Sequence, residues 1–179
     1  MLRLIVRYGV IGGLIVGVYL FSVTVFGKNG ELEKYGALLG YLTMLLALST
    51  VFVAIKKHRD ADLGGVIKFW PALGMGLAIS FVASVFYVLG WELALGVTHM
   101  DFAGIYAQSV IDAAKAKGMR GAELAKITAD MAAWKADYAN PFYRMPETFT
   151  EIFPVGVLVS LVSAGLLRNG RFLPARRGA

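Results

Sequence analysis

Glu92 and Glu151 flank long apolar runs. A carboxylate held in or at the edge of a bilayer is costly and is usually kept for function. Two of them facing each other would bind a cation or relay a proton. The plainer reading is interfacial solvation, because Glu92 directly follows Trp91 and Glu151 lies just before Pro154, both positions where a headgroup boundary is expected. The turn His58-Arg59-Asp60-Ala61-Asp62 offers three metal-ligating side chains at alternate positions. Arg59 with Lys56 and Lys57 repels a cation there, so the stretch reads as a solvated loop that orients the chain. His99 with Asp101 is an equally weak ligand or acid–base pair. Tyr41, Thr43, Ser49 and Thr50, inside an apolar run, bond to their own helix or a neighbour, or else line a small-molecule cavity. No Gly-rich phosphate loop, nucleophile elbow or paired-histidine metal signature is present. The absence of cysteine excludes disulfides, thiolate metal sites and a cysteine nucleophile. The expectation is a chain without catalytic residues, cofactor or metal.

The elements that carry these residues are those of a membrane protein. Hydrophobic residues make up 58% of the 179 and charged residues 17%, against roughly 45–50% and about 25% in soluble domains. So small a chain cannot hide that much apolar surface in its own core. Lipid can serve as solvent for it instead. Tyr8–Phe26, Tyr35–Ile55 and Phe69–Trp91 are uncharged, and each has about the 20 residues a helix needs to cross a hydrocarbon core of about 30 Å. A fourth run, Ile152–Leu167, is shorter and reaches the length if Thr148–Glu151 extend it. The spans are drawn at about 4–26, 35–55, 69–91 and 149–167 of a single membrane domain. The first is too long for a signal-peptide core and no small-x-small cleavage pattern follows Phe26, so it is expected to be retained.

Lysine and arginine near the span ends give a direction. One side receives ten, Arg3, Arg7, Lys56, Lys57, Arg59, Lys68, Arg168, Arg171, Arg176 and Arg177; the other receives four, Lys28, Lys34, Lys135 and Arg144. That asymmetry predicts both termini in the cytoplasm and a bacterial inner-membrane location. The net charge of +6 does not indicate nucleic acid, since the basic residues flank apolar runs instead of clustering on one surface.

Residues 92–148 are read as an extracytoplasmic insertion holding two helices. The first starts at the N-cap candidate Asp101, runs to about Lys117 and stops at Gly118. The second carries Leu124, Ile127, Met131, Trp134 and Tyr138 on one face and ends at Asn140-Pro141. That stripe lies on the membrane surface, covers the ends of the spanning helices or docks a partner; the plainest use is packing within a small cap. With six basic and seven acidic residues the insertion does not resemble a basic interfacial helix.

Small residues recur four apart in every span: Gly9, Gly13 and Gly17; Gly36 and Gly40; Ala72, Gly76, Ser80 and Ser84; Gly156, Ser160 and Ala164. Such grooves let helix backbones approach closely in lipid. They join the four helices of one bundle, or leave one face, the first above all, for self-association or another membrane protein.

The runs GYLTMLLALSTVFVAIKKHRD, Gly40–Asp60, and GGVIKFWPALGMGLAIS, Gly64–Ser80, resemble domain-of-unknown-function family 4199, small bacterial four-helix membrane proteins. The resemblance implies an all-α, polytopic architecture and brings no catalytic residues. The expected function is that of a non-catalytic accessory or structural component of an inner-membrane assembly. The alternative is a small transporter or ligand-binding membrane protein that uses the polar second helix and Glu92 and Glu151.

Overall fold

A backbone without water to bond must satisfy its own amides, and a continuous helix does so within one segment. The computed structural model describes residues 1–26 and 30–175, and it is helical throughout its regular elements. In chain order these are α1 (Leu2–Phe26), α2 (Gly30–Lys57, continued by a π-helical turn at His58–Asp62), α3 (Phe69–Thr98), α4 (Phe102–Ala116), α5 (Gly121–Tyr138) and α6 (Pro141–Leu167). Four segments are long and apolar enough to cross a membrane: Leu2–Phe26, Leu38–Asp62, Phe69–Thr98 and Pro141–Leu167. Lys28, Arg176 and Arg177, which entered the charge asymmetry, lie outside the described residues.

The spans at either side of the insertion run longer than expected. α3 continues past Trp91 to Thr98, and α6 begins at Pro141 instead of near residue 149. Glu92 does not end α3, because its carboxylate is paired with Arg144 of α6. Asn140-Pro141 both closes α5 and opens α6. Asn140 Oδ1 accepts from the Phe142 N–H at 3.0 Å, and proline at the first turn lacks only an N–H that would have no helical partner.

α3 is the central helix, packed against α1 and α6, with α2 set against α1 and α6. Glycine makes the α1–α3 approach. A Cβ on Gly9 would lie 2.7 Å from Val82 Cβ, one on Gly13 2.5 Å from Phe86 Cβ, and one on Gly17 2.9 Å from Phe86 O. The face of α1 is therefore occupied by α3 within the chain. Two glycines outside the expected stripes take part: Gly12 abuts Ala47 O of α2, and Gly90 abuts Gly17 O, each at 2.9 Å from the position of a Cβ. Between α3 and α6, a Cβ on Gly76 would meet Ser160 Oγ at 2.8 Å and one on Gly156 would meet Ser80 Cβ at 2.6 Å. Ser80, Ser84 and Ser160 are buried, and their hydroxyls bond to Gly156 O, Ser80 O and one another. Ala72 and Ala164 are fully buried. Gly36 and Gly40 differ, because a Cβ on either meets nothing within 4 Å. Among the described residues no helix comes close over them.

The turn after α2 also departs from a solvated loop. Arg59 is 0% exposed, and its guanidinium donates to Phe172 O at 2.9 Å and Leu173 O at 2.5 Å, with Leu167 O at 3.4 Å. Its Nε donates to Asp60 Oδ1 at 2.6 Å, and Asp60 also pairs with Lys56. The end of α6 and the turn beyond it leave carbonyls without helical donors, and one planar guanidinium reaches three of them. His58 Nδ1 lies 2.7 Å from Asp62 Oδ2. The carboxylates are thus committed to neighbouring bases.

Candidate binding site beneath the helical hairpin

The insertion folds as a hairpin of α4 and α5 seated on the ends of α3 and α6. Asp101 caps α4 by accepting from the Gly104 N–H at 2.9 Å, and Gly118, with φ +84°, makes the turn toward α5. Asp101 also pairs with Lys135 of α5 at 2.6 Å. The Lys135 ammonium and the Gly104 amide hold its carboxyl below the usual carboxylate range. The stripe on α5 points inward: Leu124, Ile127, Met131 and Trp134 are half-buried and Tyr138 is buried.

Three polar links fasten this hairpin to the bundle. Trp91 Nε1 donates to the Tyr138 hydroxyl at 2.8 Å. Arg144 grips Glu92 with two N–H groups, one of them Nε to Oε1 at 2.7 Å, and its Nη1 reaches Tyr138 O at 3.3 Å. Trp134 Nε1 donates to Glu147 Oε1 at 2.9 Å. Burial pushes the Tyr138 hydroxyl above its ordinary value, so it stays protonated at neutral pH.

A cavity of about 330 Å³ lies within this seat. Phe102 and Tyr106 of α4 and Trp134 and Tyr138 of α5 form an aromatic wall, with Met131 beside them; Glu147 and Glu151 of α6 complete the lining. The rings form a continuous circuit, with centroids 6.0 Å apart for Phe102–Tyr106, 5.1 Å for Tyr106–Trp134, 4.8 Å for Trp134–Tyr138 and 5.7 Å for Phe102–Tyr138. Glu147 and Glu151 stand one helical turn apart and so share a face. Tyr87 of α3 donates to Glu151 Oε2 at 3.0 Å. Glu147 Oε2 is buried and has no hydrogen-bond partner among the described residues. A second cavity of about 470 Å³, which shares Phe102 and Tyr138 with the first, is lined by Glu92, His99, Asp101, Lys135 and Arg144, whose acids are already paired with its bases.

Glu92 and Glu151, weighed in the sequence as a facing pair against plain interfacial solvation, do not share a site. Glu92 lines the larger cavity in an ion pair, whereas Glu151 lines the smaller one beside Glu147. Glu147 was not singled out in the sequence, although its i, i+4 spacing to Glu151 was readable there. The convergence of rings from α4 and α5 was not readable. His99 closes α3 in a left-handed conformation, φ 50°, with its N–H on Leu95 O, and Asp101 is used by Gly104 and Lys135. In α2, Thr43, Ser49 and Thr50 bond to carbonyls of their own helix and Tyr41 is 60% exposed. None of these four lines either cavity.

The model of a family described as a protein of unknown function, DUF4199, matches residues 7–169. The chain belongs to the DUF4199 family. No curated protein and no solved structure matches it. For this DUF4199 member the site rests on its own geometry, since the family carries no assigned chemistry.

Proposed function

We propose that this DUF4199 protein is a non-catalytic integral membrane protein that binds a small ligand in the cavity between its helical hairpin and α6. The observation that carries this reading is a cavity of about 330 Å³ in which four aromatic side chains of the hairpin and the carboxyl side chains of Glu147 and Glu151 line one space. Glu147 Oε2 is itself buried without a partner among the described residues, at a cost on the order of 1–3 kcal/mol, more when charged, and a positive charge in the adjacent cavity would offset it. The hairpin faces the extracytoplasmic side of a bacterial inner membrane and both termini are cytoplasmic, a placement supported by the ten-to-four lysine and arginine asymmetry.

The natural absence of cysteine permits a direct test. Met131→Cys places a single thiol in the cavity lining, and spheroplasts are treated with a small, positively charged, membrane-impermeant methanethiosulfonate. Reaction of the folded protein from the outside supports both the open cavity and the orientation. A thiol that stays unreactive until the protein is unfolded argues against the reading.

A second reading, an accessory role beside another membrane protein or a second copy, is favoured by Gly36 and Gly40 of α2, where a Cβ would meet nothing within 4 Å among the described residues. Association of that kind depends on close helix approach. Gly40→Ile would then disrupt a complex purified in mild detergent, whereas the hairpin reading expects no change in assembly.

A further inference from the structure

We propose that the cavity beneath the hairpin takes an alkylammonium cation, seated between the aromatic wall of α4–α5 and the carboxylates of Glu147 and Glu151; this rests on the ligand-binding function proposed above. Cations are attracted to the faces of Trp, Tyr and Phe within about 6 Å of the ring centroid, and aromatic cages use this to hold quaternary ammonium groups. Here four rings pack on one another at 4.8–6.0 Å and all four residues line the cavity, so a cation held in it has an aromatic wall beside it. Opposite stand two carboxylates one turn apart, each with an oxygen left over after its bond to Trp134 or Tyr87. The lining contains no basic side chain. Lys135 and Arg144 lie in the neighbouring cavity, each held by its own acid. Two uncompensated carboxylates repel an anion and leave a neutral ligand without a charge to match.

The donor set also separates an organic cation from a metal ion. Calcium takes six to eight oxygens and magnesium a near-ideal octahedron, but among the described residues no group of three or more His, Asp or Glu is placed to hold an ion. Aromatic carbon is the wrong surface for a hard cation and the right one for methylated nitrogen. A volume of about 330 Å³ lies at the small end of ligand sites, which run roughly 300–1,000 Å³, and suits a headgroup-sized molecule.

The same chemistry is presented by a free quaternary ammonium solute and by the choline headgroup of a lipid. The full-length Met131→Cys protein is reconstituted in phosphatidylglycerol nanodiscs, and labelling by neutral methyl methanethiosulfonate is timed against added choline or its uncharged carbon isostere, 3,3-dimethylbutan-1-ol. Choline is expected to protect the introduced thiol at concentrations about tenfold or more below those of the isostere, the scale of a desolvated cation–π contact. Adding Glu147→Gln should reduce that preference severalfold while leaving protection by the isostere unchanged, which separates lost charge from lost fold. Equal protection by both compounds overturns the cation assignment and leaves the ligand cavity standing. No labelling of the folded protein by the neutral reagent overturns the cavity itself. In phosphatidylcholine nanodiscs, labelling already slow before choline is added identifies the lipid headgroup as the source. Rates equal to those in phosphatidylglycerol identify a free solute.

Discussion

Replacing Gly13 by alanine adds one methyl group at the tightest point between α1 and α3. The new Cβ would stand 2.5 Å from Phe86 Cβ and 3.2 Å from Ala83 Cα, whereas carbon atoms rest at about 3.5–4.0 Å. Phe86 Cβ is anchored to the backbone of α3 and cannot swing away, so the helices must separate by roughly 1 Å, which forfeits a quarter to a half of the dispersion energy of each affected contact. Overpacking of this kind costs about 1–3 kcal/mol, and the gain from replacing helical glycine by alanine returns roughly 0.5–1 kcal/mol. Gly13→Ala should therefore be less stable by about 1 kcal/mol, and by no more than about 2.5 kcal/mol. Gly40→Ala is the matched control: its methyl meets nothing within 4 Å, and the same helix term should stabilise it by up to about 1 kcal/mol. The two variants should differ by on the order of 2 kcal/mol. Titration of the protein in mixed micelles with dodecyl sulfate, followed by circular dichroism, reads this as midpoints displaced in opposite directions. A Gly13→Ala midpoint at or above that of the parent would refute the seating of α1 on α3 through its glycines.

Arg59→Met keeps the length of the side chain and removes the donors to Phe172 O and Leu173 O; it should cost about 2–4 kcal/mol and make the segment after α6 an early site of proteolysis. Arg59→Lys should restore less than half, since one ammonium lacks the planar fork of the guanidinium; unchanged protection of the tail in both variants would remove Arg59 as its anchor. The hairpin's acid response follows from Asp101, held below the usual range by Lys135 and Gly104, and Asp112, held there by Gln108 and Lys115. A lowered folded pKa adds stability that is present above the unfolded value, about 4, and is lost as pH falls through that value and the folded one. Hydrogen exchange in α4 and α5, corrected for intrinsic rates, should thus be level from pH 5 to 8 and loosen below about 4, with Asp101→Asn reducing the change; loosening on the alkaline side would contradict it.

The spans could be read because their signal is local. An uninterrupted apolar run such as Phe69–Trp91 has one stable form in lipid, whatever its neighbours do. The hairpin was readable for a related reason: Asp101, Gly118 and Asn140-Pro141 act on the backbone within a few residues of themselves. Where a distant residue intervenes, the local rules gave out. Glu92 looked like the end of a span until Arg144 neutralised it. Arg59 looked solvated until the carbonyls beyond α6 enclosed it. The stripes of small residues were visible as stripes, but only the packing distinguishes Gly13, pressed on Phe86, from Gly40, open on its helix.

The sequence by itself determined that this chain builds four long apolar helices and a helical hairpin between the third and fourth, because helix periodicity, caps and span length depend on neighbours along the chain. Only the tertiary structure decided which carboxylates meet. It set Glu92 against Arg144 and brought Glu147 and Glu151 under the rings of Phe102, Tyr106, Trp134 and Tyr138. A binding cavity is made by side chains from three helices converging in space, and the distance between them is fixed by how the hairpin seats on the bundle.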